Sequence, residues 1–243
     1  MGQQGGKLVK HLRQYIRSVL KEVAYNRRDA FLADLYGQDF DHNFIERGED
    51  DEAYRRMAAA GRKMKIAFAA HADRQYLDSL KYVHWTEYGR RALGMLAPDV
   101  IKVDVNPRDE LSAMAYKPGE IPGNSQFFGQ YGLIITGHVT LLSNDMNSLQ
   151  TGYTPSYKTA APQRVASSGA NKGISYAYTQ DIVLSAEDWD PQGQLGNEAL
   201  IDNWEIQGLI VPDSEYDKFV MYMDKIYEKT GKEYLLYKAS QMS

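Results

Sequence analysis

The chain has 243 residues, 43% of them hydrophobic, with 28 basic against 32 acidic side chains, a net charge of -4 and no cysteine. That length and apolar content support one sizeable core with room for an appendage. The acidic balance is not that of a general nucleic-acid binder, and the lack of cysteine excludes disulfides, thiolate metal sites and cysteine nucleophiles.

No apolar stretch approaches the roughly 20 residues that a membrane span needs. The opening MGQQGGKLVKHL lacks the apolar centre of a signal peptide, and Gly6 stands where a myristoylation site wants Ser or Thr.

In chain order, residues 7–23 predict an amphipathic helix: Leu8, Leu12, Ile16, Val19, Leu20 and Val23 follow the helical period, with basic residues opposite. Residues 1–28 carry seven basic side chains against Glu22 alone, and acidic residues dominate from there to Glu52. The bland expectation for this helix is docking with a solvated face; the sharper ones are a targeting peptide, an anionic membrane surface or an assembly partner. Residues 37–52 read as an acidic loop and 52–80 as helical.

The texture changes at residue 81. KYVHWT (81–86) reads as a strand with Tyr82, His84 and Thr86 on one face and Val83 and Trp85 on the other. EYGRRALGML reads as a helix, DVIKVDV (99–105) as a strand, RDELSAM as a short helix and 117–130 as a loop. YGLIITGHVTLLS (131–143) is a long strand or a pair, bulged at Gly137. Residues 144–173 form a long Gly-, Pro- and Ser-rich segment, a length that suits function or mobility. ISYAYTQDIVLS (174–185) reads as a strand, EALIDNWEIQGLIV (198–211) as a hairpin turning near DNW, and 214–231 as a closing amphipathic helix capped by Ser214.

These elements divide the chain into a basic helix (1–28), an acidic linker and helical region (29–80) and an α+β domain (81–243). The class is α+β, a helical N-terminal region followed by a strand-rich domain. Phosphate-loop, dinucleotide-binding, metalloprotease and nucleophile-elbow signatures are missing, and the five histidines are too dispersed to predict a metal site.

What remains is an order: a strand bearing His-x-Thr, a helix, a long polar segment, and Glu198 at the head of an apolar strand. YVHWT (82–86) and NEALI (197–201) resemble the first-strand and late-strand motifs of the ADP-ribosyltransferase superfamily. The resemblance implies a split antiparallel β-sheet domain and transfer of ADP-ribose from NAD, the co-substrate, to a macromolecular acceptor, most naturally a protein. It implies Glu198 as the catalytic carboxylate and His84 and Thr86 as NAD-positioning groups. For the middle motif, a tyrosine or a Ser-Thr-Ser element in the family, Tyr153, Tyr157 and residues 165–169 are the candidates. A carboxylate hydrogen-bonded to the ribose would favour the cation that forms as nicotinamide leaves.

Taken singly, a core histidine, a carboxylate bounding a strand and a packing Trp204 are the plainer readings, and the alternative function is a non-enzymatic virion or interaction scaffold. The basic N-terminal helix resembles segments heading proteins of large tailed bacteriophages, some of which inject packaged ADP-ribosyltransferases. That resemblance implies a bacterial cytoplasmic or phage-particle location and a phage or host partner for the helix. His84 and Glu198 beside one cleft would favour the enzyme; opposite sides of the sheet would favour the scaffold.

Overall fold

Short apolar alternations build the sheet, and a computed structural model shows how its strands are joined. It describes residues 15, 27–35, 62–102, 110–125, 127–144, 182–190 and 197–242. The predictions over 7–23 (apart from Tyr15, which is helical), 37–52, the start of the 52–80 helical region up to residue 61, 103–105, 145–181 and hence Tyr153, Tyr157 and 165–169 lie outside these residues.

The chain is α+β, as expected, with helices packed on a mixed five-stranded sheet. The strands are β1 (Lys81–Thr86), β2 (Leu111–Tyr116), β3 (Tyr131–Ser143), β4 (Glu198–Val211) and β5 (Leu235–Lys238). The described helical segments are α1 (27–35), α2 (62–71), α3 (Arg74–Ser79), α4 (Gly89–Leu96) and α5 (Tyr216–Thr230).

The strand order is β2-β1-β3-β4-β5, and β2 also pairs with β4. Strands β1, β2, β4 and β3 therefore form a closed antiparallel circuit, while β5 lies parallel to the far end of β4. The circuit closes because β2 divides its partners. Met114, Ala115 and Tyr116 pair with β1, and residues 111–114 pair with the head of β4.

Five expectations are corrected. RDELSAM is no helix: Leu111 onward is β2, where Ala113 and Ala115 alternate into the core and sheet pairing overrides local helix propensity. Residues 198–211 are one strand rather than a hairpin, because β3 runs alongside nearly its whole length; the sharp point at DNW is Asn203, with φ 49°. Residues 98–101 turn instead of forming a strand, their backbone tied back by Val100 and Ile101 N–H bonds to Ala97 O. Ile182, at the end of the predicted 174–185 strand, makes only an isolated bridge to Ser143. The closing helix begins at Tyr216 after a 3₁₀ turn, so Ser214 is not its cap.

The bulge at Gly137 is present, as a register shift between Thr136 and His138. A side chain there would strike Ile201 and the backbone of Asp202 and Trp204.

One large core joins the helices to the sheet. Phe31 and Leu35, four residues apart on α1, and Met64, Ala67 and Phe68 on α2 lie in the same cluster as Leu133, Leu141, Ile201 and Phe219. Arg28 adds polar anchors, donating to Ile182 O at 2.5 Å and to Asp188 at 3.1 Å. The described parts of 29–80 thus belong to the core of the β-domain. A second, smaller cluster of Val83, Trp85, Ile121 and Ile210 fills the other face of the sheet.

Candidate functional site

Strand β1 is as the alternation predicts: Tyr82 joins the large core, and Val83 and Trp85 join the small one. Trp85 donates from its indole nitrogen to Tyr116 Oη at 2.9 Å. Burial raises the Tyr116 hydroxyl to about 12, so it stays protonated and can pass a hydrogen bond to Met114 Sδ at 3.4 Å.

His84 is deep-set, and its Nδ1 lies 2.8 Å from the Ser112 carbonyl oxygen. A carbonyl only accepts, so Nδ1 carries the proton and the neutral ring presents Nε2 as a bare acceptor. Nε2 is buried and has no hydrogen-bond partner. Burial is the main cause that lowers the His84 pKa, partly opposed by the Ser112 bond and helped by Arg91 on α4. The ring is therefore neutral at neutral pH.

Glu198 opens β4, 6% exposed. Ser112 Oγ donates to Glu198 Oε1. One residue of β2 thus touches both predicted site residues, His84 through its carbonyl and Glu198 through its hydroxyl. Their directions differ. Val83, Met114 and Glu198 stand directly opposite one another across β1, β2 and β4. Cross-strand partners share a face and neighbours alternate, so Glu198 belongs to the Val83 face and His84 to the other. They meet at Ser112, in the part of β2 that pairs with β4.

Thr86 is 5% exposed, and its hydroxyl accepts from Tyr88 N–H at 3.5 Å, at the turn into α4. That contact shapes the strand-to-helix corner. Trp204 is partly buried against the large core, in keeping with a packing role. A cavity of about 550 Å³, lined by Leu96, Trp204, Gln207 and Tyr234 among others, includes none of His84, Ser112 and Glu198.

Ser112 was missed from sequence because it sits in a stretch that reads as helix. As a strand, ELSAMAY puts its hydroxyl one pleat from the Met114–Glu198 pair, which only the pairing of β2 with β4 reveals. No family model, curated protein or solved structure matches the chain.

Proposed function

We propose that the chain is a mono-ADP-ribosyltransferase that moves ADP-ribose from NAD to a macromolecular acceptor, with Glu198 as its catalytic carboxylate. The observation that supports this reading is the double contact of Ser112, with Glu198 through the hydroxyl and His84 through the carbonyl. In the reaction, the bond from ribose C1′ to the nicotinamide nitrogen breaks and its electron pair leaves with nicotinamide. Ionised Glu198 offsets the positive charge left on the ribose, and the acceptor forms the new bond at C1′ and gives up a proton. The acceptor is a protein in this reading. The basic segment 1–28 serves placement, and phage delivery into a bacterial cytoplasm is the setting that its resemblance suggests.

The test is nicotinamide release from NAD by the wild type and by Glu198→Gln at matched melting temperature. The amide keeps the shape and loses the charge, and the expected fall is about a hundredfold or more. Equal rates remove Glu198 from the mechanism.

A second reading, a non-catalytic scaffold, is favoured by the opposed faces of His84 and Glu198 and by the burial of the carboxylate. On that reading the Ser112 contacts are structural. NAD then gives no calorimetric heat, and Glu198→Gln changes stability alone.

A further inference from the structure

A strand has two edges, and β3 occupies one edge of β4 along nearly its whole length. On the other edge β2 pairs as far as Ile201, and β5 joins at Gly208. Between them, residues 202–207 have no strand partner on that edge among the described residues. The cavity of about 550 Å³ lies at this gap, between residues 204–207 of β4, the end of α4 and residues 232–234 ahead of β5. A space of that size admits a small molecule.

Its walls are apolar and aromatic. Met95 and Leu96 are the last two residues of α4, and Trp204 and Ile206 stand two apart on β4. Tyr234 donates from its hydroxyl to Leu96 O at 3.2 Å, which holds its ring beside the helix end. Trp204, Ile206 and Tyr234 are packed against the large core but only partly buried by it. The remainder of each is apolar surface beside the cavity.

The polar lining is rich in acceptors and short of donors. Glu205 and Glu233 bring two carboxylates, and neither makes an ion pair among the described residues. Gln207 spends its N–H₂ group on Thr136 Oγ1 at 3.0 Å, which leaves its amide oxygen as an acceptor. The negative pole of α4 adds to this, with no basic residue in the last turn to offset it. Lys232, also in the lining, balances one carboxylate and leaves the other in excess. An anion is therefore disfavoured here. A primary ammonium on an aliphatic stem answers the whole lining: N–H donors for the carboxylates, charge beside the Trp204 and Tyr234 rings, and methylenes against Met95, Leu96 and Ile206.

We infer that this cavity binds an aliphatic primary amine, its ammonium held by Glu205 and Glu233 and its stem lying against Trp204 and Ile206. Free diamines carry this chemistry, and so does the side chain of a lysine. The cavity shares no residue with the contact between Ser112 and Glu198, so the amine site stands whether or not the chain is a transferase.

The test is calorimetric titration of the full chain, without NAD, with putrescine and, separately, with Nα-acetyl-lysine methylamide. 1,4-Butanediol, with the same stem as putrescine and hydroxyls for its ammonium groups, is the control. At least one amine binds saturably and the diol does not. The double variant Glu205→Gln with Glu233→Gln weakens the amine by about tenfold or more, and Lys232→Gln, which removes the competing charge, strengthens it by about threefold. Both Glu205 and Glu233 are exposed, so the melting temperature stays as in the wild type. Tighter binding of putrescine assigns a free diamine, and tighter binding of the lysine amide assigns the side chain of a partner protein; each upholds the site. No saturable binding of either amine, equal binding of the diol, or full affinity in the folded double variant overturns it.

Discussion

Ser112 and Glu198 stand 86 residues apart in the chain and are joined by a hydrogen bond from hydroxyl to carboxylate. The contact exists because β2 runs along the head of β4 as far as Met114 and only then pairs with β1. Ser112→Ala removes the donor and leaves the buried carboxylate short of one partner, at a cost of about 1–3 kcal/mol. If Glu198 is catalytic, the same change also lowers nicotinamide release, by about tenfold for each 1.4 kcal/mol lost from the transition state. Denaturant melts and turnover measured together separate the two: lost stability with unchanged turnover per folded molecule assigns Ser112 to the fold alone.

His84 gives a pH signature. Its folded pKa lies below the ordinary value of 6.5, so below that pH the unfolded chain takes up a proton that the folded one refuses. Stability is fully present above about pH 6.5 and declines as the pH falls towards the lowered folded pKa. His84→Gln removes this contribution. Urea melts from pH 7.5 down to 5 show a flatter dependence for the variant than for the wild type. Parallel curves would mean that the ring titrates as freely folded as unfolded.

The N-terminal third is tested through Phe31, a fully buried aromatic on α1. Phe31→Ala costs about 3–5 kcal/mol. Deletion through Leu35 removes both buried apices of the helix together with the Arg28 anchors, and yields an insoluble or unfolded chain. A soluble, cooperatively melting product of that deletion would show that the β-domain holds together without α1.

Two glycines of one loop separate strain from crowding. Gly119, at φ +82°, has open space around an added Cβ, whereas Gly129, at φ +127°, would place it 2.1 Å from the Thr86 backbone. Gly119→Ala costs about 1 kcal/mol of backbone strain. Gly129→Ala must also move the corner between β1 and α4, and the loss of stability is clearly larger. Equal midpoints in denaturant would contradict the close approach of the 125–129 turn to Thr86.

What was legible from sequence follows from the range of the forces involved. KYVHWT and YGLIITGHVTLLS announce themselves by β-branched and aromatic content, and Gly137 marks its own bulge. The register that brings His84, Ser112 and Glu198 together depends on pairings 28 and 86 residues apart in the chain, which no local pattern encodes. The same long-range pairing turned ELSAMAY from helix to strand. It also kept Glu198–Val211 in one piece, since β3 pairs with it on both sides of Asn203 and Trp204, where the local residues favour a turn.

The closed circuit of β1, β2, β4 and β3 sets an order of events during synthesis. When β1, β2 and β3 have left the ribosome, the circuit still lacks β4, and Ser112 awaits a carboxylate not yet translated. At about 5–20 residues per second, the 86 residues from Ser112 to Glu198 take roughly 4–17 s. Pairings this distant form slowly, after local helices have collapsed. A nascent chain stalled before residue 198 therefore exposes two β edges at once, the β2 edge and the β3 edge that β4 is to join. The candidate site is among the last parts of the protein to exist.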